Sequence, residues 1–147
     1  MRLRNVAFKT MVTRDFIPVL ALVLLSTPLK AMPAPKDFEG QWQNPKRTTL
    51  VNVSVCGDGP QYCAVVMKAS AETLENARKG GTTHFIGTEI LRVRPAGDGV
   101  FKGTAFDPET NMHVSATVRM MAPGVMEMKG CAMMGLFCER QRWTKVE

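Results

Sequence analysis

The sequence lacks the side-chain patterns that common hydrolases require. No G-x-S-x-G turn, H-E-x-x-H helix or Cys-His nucleophile signature occurs in its 147 residues. Its two histidines, His84 and His113, lie far apart in sequence, whereas a hydrolase needs its nucleophile, base and orienting group in contact. We therefore expect ordinary polar roles for both histidines, no catalytic residues, and no cofactor.

A concentrated excess of positive charge is also missing from most of the chain. The net charge is +6, but residues 1–31 hold five basic side chains and one acidic side chain. Residues 32–147 carry the other 14 basic and 12 acidic side chains, an excess of only two. A surface that tracks phosphates needs a denser basic patch, so no nucleic-acid partner is expected.

Long apolar runs are absent except at residues 16–25, and about twenty apolar residues are needed to span a bilayer comfortably. This run follows Arg2, Arg4, Lys9 and Arg14 and precedes a small-residue exit. The pattern is typical of a secretory signal peptide. Translation starts at either Met1 or Met11 in this interpretation.

Cleavage is predicted after Ala31, with cleavage after Ala34 and an uncleaved anchor as alternatives. The predicted organisation is a signal peptide at 1–31, a flexible lead-in at 32–37 and one domain at 38–147. The mature protein is expected in the periplasm or secreted, with no stable membrane span.

The four cysteines all follow the predicted signal peptide, and an even number in an exported protein implies disulfides. They form two C-x6-C pairs, Cys56 with Cys63 and Cys131 with Cys138. Local pairing would clip two hairpins, while the alternative pairing joins the early hairpin to the late one. Structural zinc sites use closer, CxxC-like spacing, so no metal site is predicted.

Beyond residue 38, apolar and polar residues alternate with a period of two, which is typical of half-buried strands. Val51, Val53 and Val55 alternate with polar neighbours, and the same pattern recurs to residue 146, with a bulge expected near Gly87. One stretch, 70–79, has helical spacing. Because closure leaves no exposed strand edge, we predict an all-β, small antiparallel up-and-down barrel of about eight strands with one short helix. It would be similar to lipocalins and streptavidin, and a sandwich is the alternative.

Short motifs in a fixed order carry a family resemblance. They are Gly40-Gln-Trp42, Cys56-Gly, Tyr62-Cys63-Ala, Gly87-Thr-Glu-Ile-Leu91, Asp98-Gly-Val-Phe-Lys-Gly103, Phe106-Asp-Pro-Glu-Thr110, Lys129-Gly-Cys131 and Gln141-Arg-Trp143-Thr144. Over residues 38–145 the chain resembles the exported bacterial family called domain of unknown function 2147, with calycin-type ends. The resemblance implies an exported small β-barrel and brings no catalytic residues. Residues 70–84 and Asn111-Met112 depart from the family's commoner pattern.

Seven methionines lie between residues 112 and 134. Thioethers select Cu(I), and Met126 and Met128 would share one strand face. Methionine also fills irregular barrel interiors and flexible pockets. We expect core packing, with Met120, Met126 and Met128 as candidate ligand-lining residues, and Cu(I) binding as the lesser alternative.

Two further segments have candidate roles. Trp42 and Trp143 belong to the first and last strands, which are neighbours in a closed barrel, so they are predicted to plug one end with Arg140 or Arg142 stacked across them.

The turn at 107–111 is rich in oxygen ligands that suit calcium, but Asp-Pro also begins an ordinary type I turn, which is the role we expect.

The leading functional hypothesis is a non-enzymatic envelope protein that binds a small apolar ligand inside the barrel or a partner at its rim. The alternative is an inhibitor or docking partner of another exported protein, such as a protease, acting through residues 32–37 or the loops.

Overall fold

The computed structural model describes residues 35–146, which form a closed barrel of eight antiparallel strands. The strands are β1 (Gly40–Gln43), β2 (Thr49–Val55), β3 (Tyr62–Ala69), β4 (Glu89–Pro95), β5 (Val100–Asp107), β6 (Met112–Ala122), β7 (Val125–Ala132) and β8 (Phe137–Val146). A helix, α1 (Ala71–Lys79), joins β3 to β4, and 3-10 turns form at Pro35–Phe38 and Met133–Gly135. The predicted barrel is confirmed, and the sandwich alternative is wrong. The predicted signal peptide lies outside the described residues.

The sheet closes through β1 and β8, where Trp42 lies opposite Lys145. Alternate residues of each strand point inward, and on β2 the buried residues are Thr49, Val51 and Val53. The fully buried side chains of the core are mostly valines, together with Trp42, Phe38 and Met126. The period-two pattern of the sequence is therefore the inward and outward alternation of the barrel wall.

One end of the barrel, which we call the plugged end, is filled by aromatic rings. Phe38 stacks on Phe101 at 4.3 Å and meets Tyr62 edge-on at 5.3 Å. Trp42 is fully buried beside them, and its indole N–H donates to the carbonyl oxygen of Phe38 at 2.9 Å. The 3-10 turn therefore fixes both the ring of Phe38 and the acceptor that satisfies Trp42.

The prediction that Arg140 or Arg142 stacks on the tryptophans is wrong, because the cation that lies over Trp42 is a lysine. Lys145 lies 5.8 Å from the Trp42 ring centroid and donates to the carbonyl oxygen of Asp37. Arg140 and Arg142 alternate with the inward Trp143 on β8 and point outward. The aromatic partner of Trp42 is Phe38, at 6.5 Å.

The opposite end, which we call the helix end, carries α1. Ser70 caps this helix by accepting the Thr73 backbone N–H, and Gly80 ends it, so the short helix predicted over 70–79 is confirmed. A Cβ on Gly80 would clash with the carbonyl oxygen of Glu109, so glycine lets the C-terminus of α1 pack against the turn between β5 and β6.

Two sequence-based boundaries differ from the structure. Residues 35–37, predicted as part of a flexible lead-in, belong to the 3-10 turn of the plug because Phe38 anchors them. The bulge expected near Gly87 lies at Ile90, where the register between β3 and β4 shifts. Gly87 instead sits in the turn before β4 with φ +82°.

The disulfides join Cys56 to Cys63 and Cys131 to Cys138, so the structure has the local pairing. Cys131 and Cys138 are themselves opposite each other in the register of β7 and β8. Each bond closes a short loop. For a loop of this length, the loss of chain entropy in the unfolded state is expected to stabilise the fold by about 2.5 kcal/mol.

We expect peptide mapping of the mature protein under non-reducing conditions to recover Cys56 with Cys63 and Cys131 with Cys138. Alkylation in denaturant should add no mass before reduction, because the described residues hold no free cysteine. Recovery of a peptide joining Cys63 to Cys131 would contradict the pairing.

Replacing Trp42 with alanine should lower the free energy of unfolding by about 3–5 kcal/mol, because it removes a fully buried indole and leaves a cavity. Trp42→Phe keeps a buried aromatic ring and loses the hydrogen bond to the Phe38 carbonyl together with a smaller part of the ring volume, so it should cost less. Urea or thermal unfolding measures both. A Trp42→Ala variant as stable as the wild type would remove the plug interpretation.

Candidate functional site

The cavity found among the inward side chains of the barrel is small. It measures about 10 Å³ and is lined by Val51, Ala64, Ile90, Leu91, Met126, Met128 and Trp143. One water molecule needs about 10–15 Å³. Of the predicted lining residues, Met126 and Met128 line this cavity, whereas Met120 packs in the core opposite Met126.

Trp143 introduces the one unsatisfied polar atom in this region. The side chain is buried and lines the small cavity, and its Nε1 has no hydrogen-bond partner among the described residues. A buried donor left without an acceptor costs about 1–3 kcal/mol. The predicted plug pair is thus divided, since Trp42 is hydrogen-bonded within the aromatic plug and Trp143 faces the interior cavity.

A larger surface cavity of about 270 Å³ lies along β4, β5 and β6. Its lining includes the polar residues Arg92, Thr104 and His113, together with Phe106. Arg92 forms a 2.7 Å ion pair with Glu89 there, and this hydrogen-bonded pair raises the pKa of Arg92. His113 contacts the Phe106 ring at 5.2 Å. Arg92 and Glu89 are thus paired with each other, and His113 packs against Phe106, on the outer wall of the barrel.

The other sequence candidates have structural partners. His84 is exposed in the segment before β4, and His113 is exposed at the start of β6. In the turn at 107–111, the Asp107 carboxylate accepts the Glu109 backbone N–H and the Thr110 hydroxyl. That carboxylate therefore stabilises its own turn, which is the role expected from the sequence.

The methionines divide into buried and exposed sets, so the expectation that they mainly fill the core is only half right. Met120 and Met126 are buried and Met128 is partly buried. Four others are exposed: Met112, Met121, Met133 and Met134.

The most exposed apolar side chains form the tip of one hairpin, residues 131–138, which we call the clasped hairpin. Relative exposure is 66% for Met133, 105% for Met134, 78% for Leu136 and 66% for Phe137. The disulfide closes the hairpin at its base, and the Ser115 hydroxyl donates to the carbonyl oxygen of Cys131. The tip therefore projects from a fixed base.

The backbone of the tip is unfavourable as well. Met133 and Met134 both adopt left-handed conformations, with φ of +48° and +56°, a region that side chains other than glycine, asparagine and aspartate rarely occupy. Turns normally use Gly, Asn or Asp at such positions. The residues of the tip thus stabilise neither the core nor the turn, a conflict that is common at functional sites.

Apolar exposure is concentrated at the helix end. Of the eleven large apolar side chains exposed in the described part of the chain, eight lie at or near that end according to the strand order. They are the four of the clasped hairpin and Met67, Leu74, Ile86 and Met112. A concentration of this kind marks an interaction surface more often than scattered single residues do.

The strand register also assembles a feature that the sequence conceals. Arg94, Lys102, Thr117, Lys129 and Arg140 lie opposite one another on β4 to β8. Each alternates with inward residues such as Phe101, Val118 and Met128, so all five point outward. We call Arg94, Lys102, Lys129 and Arg140 the basic row.

The wall around the basic row is strongly cationic. Arg92, Arg119 and Arg142 also lie on the outer face of β4 to β8, where the acidic residues are Glu89 and Glu127. Among residues 35–146 the ion pairs are Arg78–Glu75, Lys79–Glu75 and Arg92–Glu89, so no cation of the basic row is ion-paired there. The prediction that no dense basic face exists is therefore wrong for this wall.

Sequence reasoning missed both surface features for different reasons. A signal for the clasped hairpin was present, because Ala132-Met-Met-Gly-Leu-Phe137 places apolar residues where a turn should be polar. The basic row had only a weak local signal, the period-two pairs Arg92/Arg94 and Arg140/Arg142, because its four members come from four different strands.

Among the described residues, no helix has the length and apolar character needed to cross a bilayer.

Two solved structures are similar to this chain, and the first supports the fold. Protein HP1028 from the human pathogen Helicobacter pylori, described as belonging to the lipocalin family, matches with a TM-score of 0.55 and 11% identity over 74% of this chain and 82% of its own. A redesigned β-barrel matches with a TM-score of 0.46 and 10% identity, covering 78% of this chain and 95% of the design. No curated protein matches the sequence.

The sequence itself supplies the family. Residues 40–145, from the first strand to the last, match the family described as "Uncharacterized protein conserved in bacteria" (DUF2147). The fold is the lipocalin-like barrel that the strand register shows. The chain belongs to the DUF2147 family.

Proposed function

We propose that this protein is an exported, non-enzymatic component of the bacterial envelope that docks on an apolar surface through the clasped hairpin. The observation that carries the proposal is the exposure of Met133, Met134, Leu136 and Phe137 at the tip of a disulfide-closed turn. Burying such side chains against a partner releases the hydrophobic free energy that the fold itself leaves unused.

The location rests on the chemistry of the cysteines. Two disulfides persist in an oxidising compartment such as the periplasm or the extracellular space and are rare in the cytosol. The predicted signal peptide at 1–31 agrees with that location. The bacterial family and its lipocalin-like barrel are compatible with a binding role.

The non-enzymatic role rests on how the candidate groups are used. The Asp107 carboxylate stabilises a turn, His113 packs on Phe106 and the interior is filled with apolar side chains. A catalytic site would need a nucleophile and a base that converge on space for a substrate.

Docking predicts that the hairpin tip determines where the protein resides in the cell. In the bacterium that produces it, gentle osmotic shock should leave the wild type largely with the envelope fraction and release a Met134→Ser/Phe137→Ser variant with soluble periplasmic proteins. Quantitative immunoblotting of the two fractions measures the change. The matched control is Met121→Ser/Val55→Ser, which removes two exposed apolar side chains at the plugged end. Equal distribution of the tip variant and the wild type would contradict docking.

A small apolar ligand inside the barrel is the second candidate, favoured by the unpartnered Trp143 Nε1 beside Met126 and Met128. Small-molecule pockets commonly measure about 300–1,000 Å³, so methionine side chains would have to move aside, which their flexible thioethers permit. A hydrogen-bond acceptor on the ligand would satisfy Trp143. Native mass spectrometry of protein purified from its own periplasm tests this candidate through the presence or absence of added mass.

An inhibitor that acts through its N-terminal arm has less support. Pro35–Phe38 is already folded into the plug, with Phe38 fully buried, so the arm available to a protease shortens to the residues before it. Deleting residues 32–37 would remove the arm together with part of the plug.

Replacing Met126 with leucine separates apolar lining from copper ligation. Met126 is buried and leucine conserves volume and apolarity, so the free energy of unfolding should change by less than about 1.5 kcal/mol. Cu(I) affinity should not change either, when measured by competition with a chromogenic chelator. Intact stability with lost tight Cu(I) binding would instead favour the copper alternative.

A further inference from the structure

We propose that the surface met by the clasped hairpin is a bilayer interface rich in anionic phospholipid, with the hairpin tip inserting and the basic row binding the headgroup phosphates. This inference rests on the proposed function and names its partner.

The geometry places the two elements at matching depths. Lys129 and Arg140 lie opposite each other on the two strands of the hairpin, each three residues from the last pair, Ala132 and Phe137. At about 3.3 Å per residue they follow the strand ends by about 10 Å. Apolar elements at membrane interfaces sit about 5–10 Å below the headgroup boundary. Insertion of the tip therefore brings both cations to the phosphate layer.

The charge around the hairpin favours an anionic surface over a neutral one. Arg94 and Lys102 continue the basic row across β4 and β5, with strands about 4.8 Å apart. Arg119 and Arg142 flank Glu127 one row further from the tip, and Glu139 lies opposite Gly130 between Arg140 and the tip. The six cations of these two rows therefore outnumber the two acidic side chains. A short apolar tip alone binds membranes weakly, and stable attachment takes a second signal such as a basic patch.

The shape of the tip favours a bilayer over a pocket in a protein. Met134 is completely exposed and the other three apolar side chains of the tip are at least 66% exposed, and a fluid interface accommodates such a tip without a matching cavity. A soluble polyanion would use the cations and leave the apolar tip in water. The combination of both features is what an anionic membrane surface recognises.

The test measures binding of the oxidised mature protein to vesicles by co-sedimentation. One set of vesicles is an equimolar mixture of phosphatidylglycerol and phosphatidylcholine, and the other is phosphatidylcholine alone. We expect binding to the first set, with weaker binding in high salt because screening shortens the reach of the charges.

Two variants separate the contributions. Met134→Ser/Phe137→Ser should reduce the partition coefficient at least tenfold, on the order expected for two exposed apolar groups. Lys129→Gln/Arg140→Gln should reduce it about ten- to thirty-fold on anionic vesicles.

The matched controls are Met121→Ser/Val55→Ser for apolar loss and Lys36→Gln/Lys68→Gln for charge loss. Lys36 belongs to the plugged end and Lys68 to the wall four strands from β7. Both controls should bind like the wild type, and circular dichroism checks that every variant is folded.

The outcomes distinguish the lipid inference from docking in general. Binding to neutral and anionic vesicles alike, or to neither, would overturn the lipid inference. Loss of binding in the cation variant with no change in the tip variant would indicate a polyanion site and overturn it as well. If vesicles fail while the tip variant still leaves the envelope fraction in cells, the partner is a protein and only the lipid inference falls.

Discussion

Closure of the sheet through β1 and β8 is the constraint on which the rest of the structure depends. Once Trp42 is held opposite Lys145, every strand has two neighbours and each residue is assigned either to the interior or to the outer wall. The backbone groups of the wall are satisfied by pairing, so no edge remains for aggregation. The interior must then be filled from one side of eight strands, which aromatic rings, valines and a few methionines accomplish.

The sequence was sufficient to predict that alternation and its consequence. Val51, Val53 and their counterparts define strands whatever their partners, and the run of short turns leaves few ways of pairing them. Local disulfides were one of two alternatives, and the register decides between them because Cys131 and Cys138 are direct cross-strand neighbours. The helix was also predictable, from the helical spacing of Ala71, Leu74 and Ala77 and from the glycines that follow Lys79, since these signals act over a few residues.

The rest depends on contacts between distant segments. A lysine rather than an arginine lies against Trp42 because the register carries Lys145 to the plugged end. Met133 and Met134 are apolar and are expected in the core from the sequence, but they lie in the turn between β7 and β8, where their side chains are exposed. The basic row is a property of five strands aligned in one register, so charge counted along the chain could not detect it.

The placement of the second disulfide connects these observations. Two left-handed residues in the tip, Met133 and Met134, cost about 1–2 kcal/mol each, which is comparable to the roughly 2.5 kcal/mol that closing this short loop supplies. The Cys131–Cys138 bond therefore contributes a stabilisation of the same order as the strain of the turn that it closes, whereas the core of the barrel is packed without the tip. A covalent constraint on a turn with four exposed apolar side chains, close to Lys129 and Arg140, which form no ion pair among the described residues, is consistent with a binding surface. The inward side chains are used in the core, so the side chains that remain available for binding are those of the hairpin tip and of the outer face of the strands.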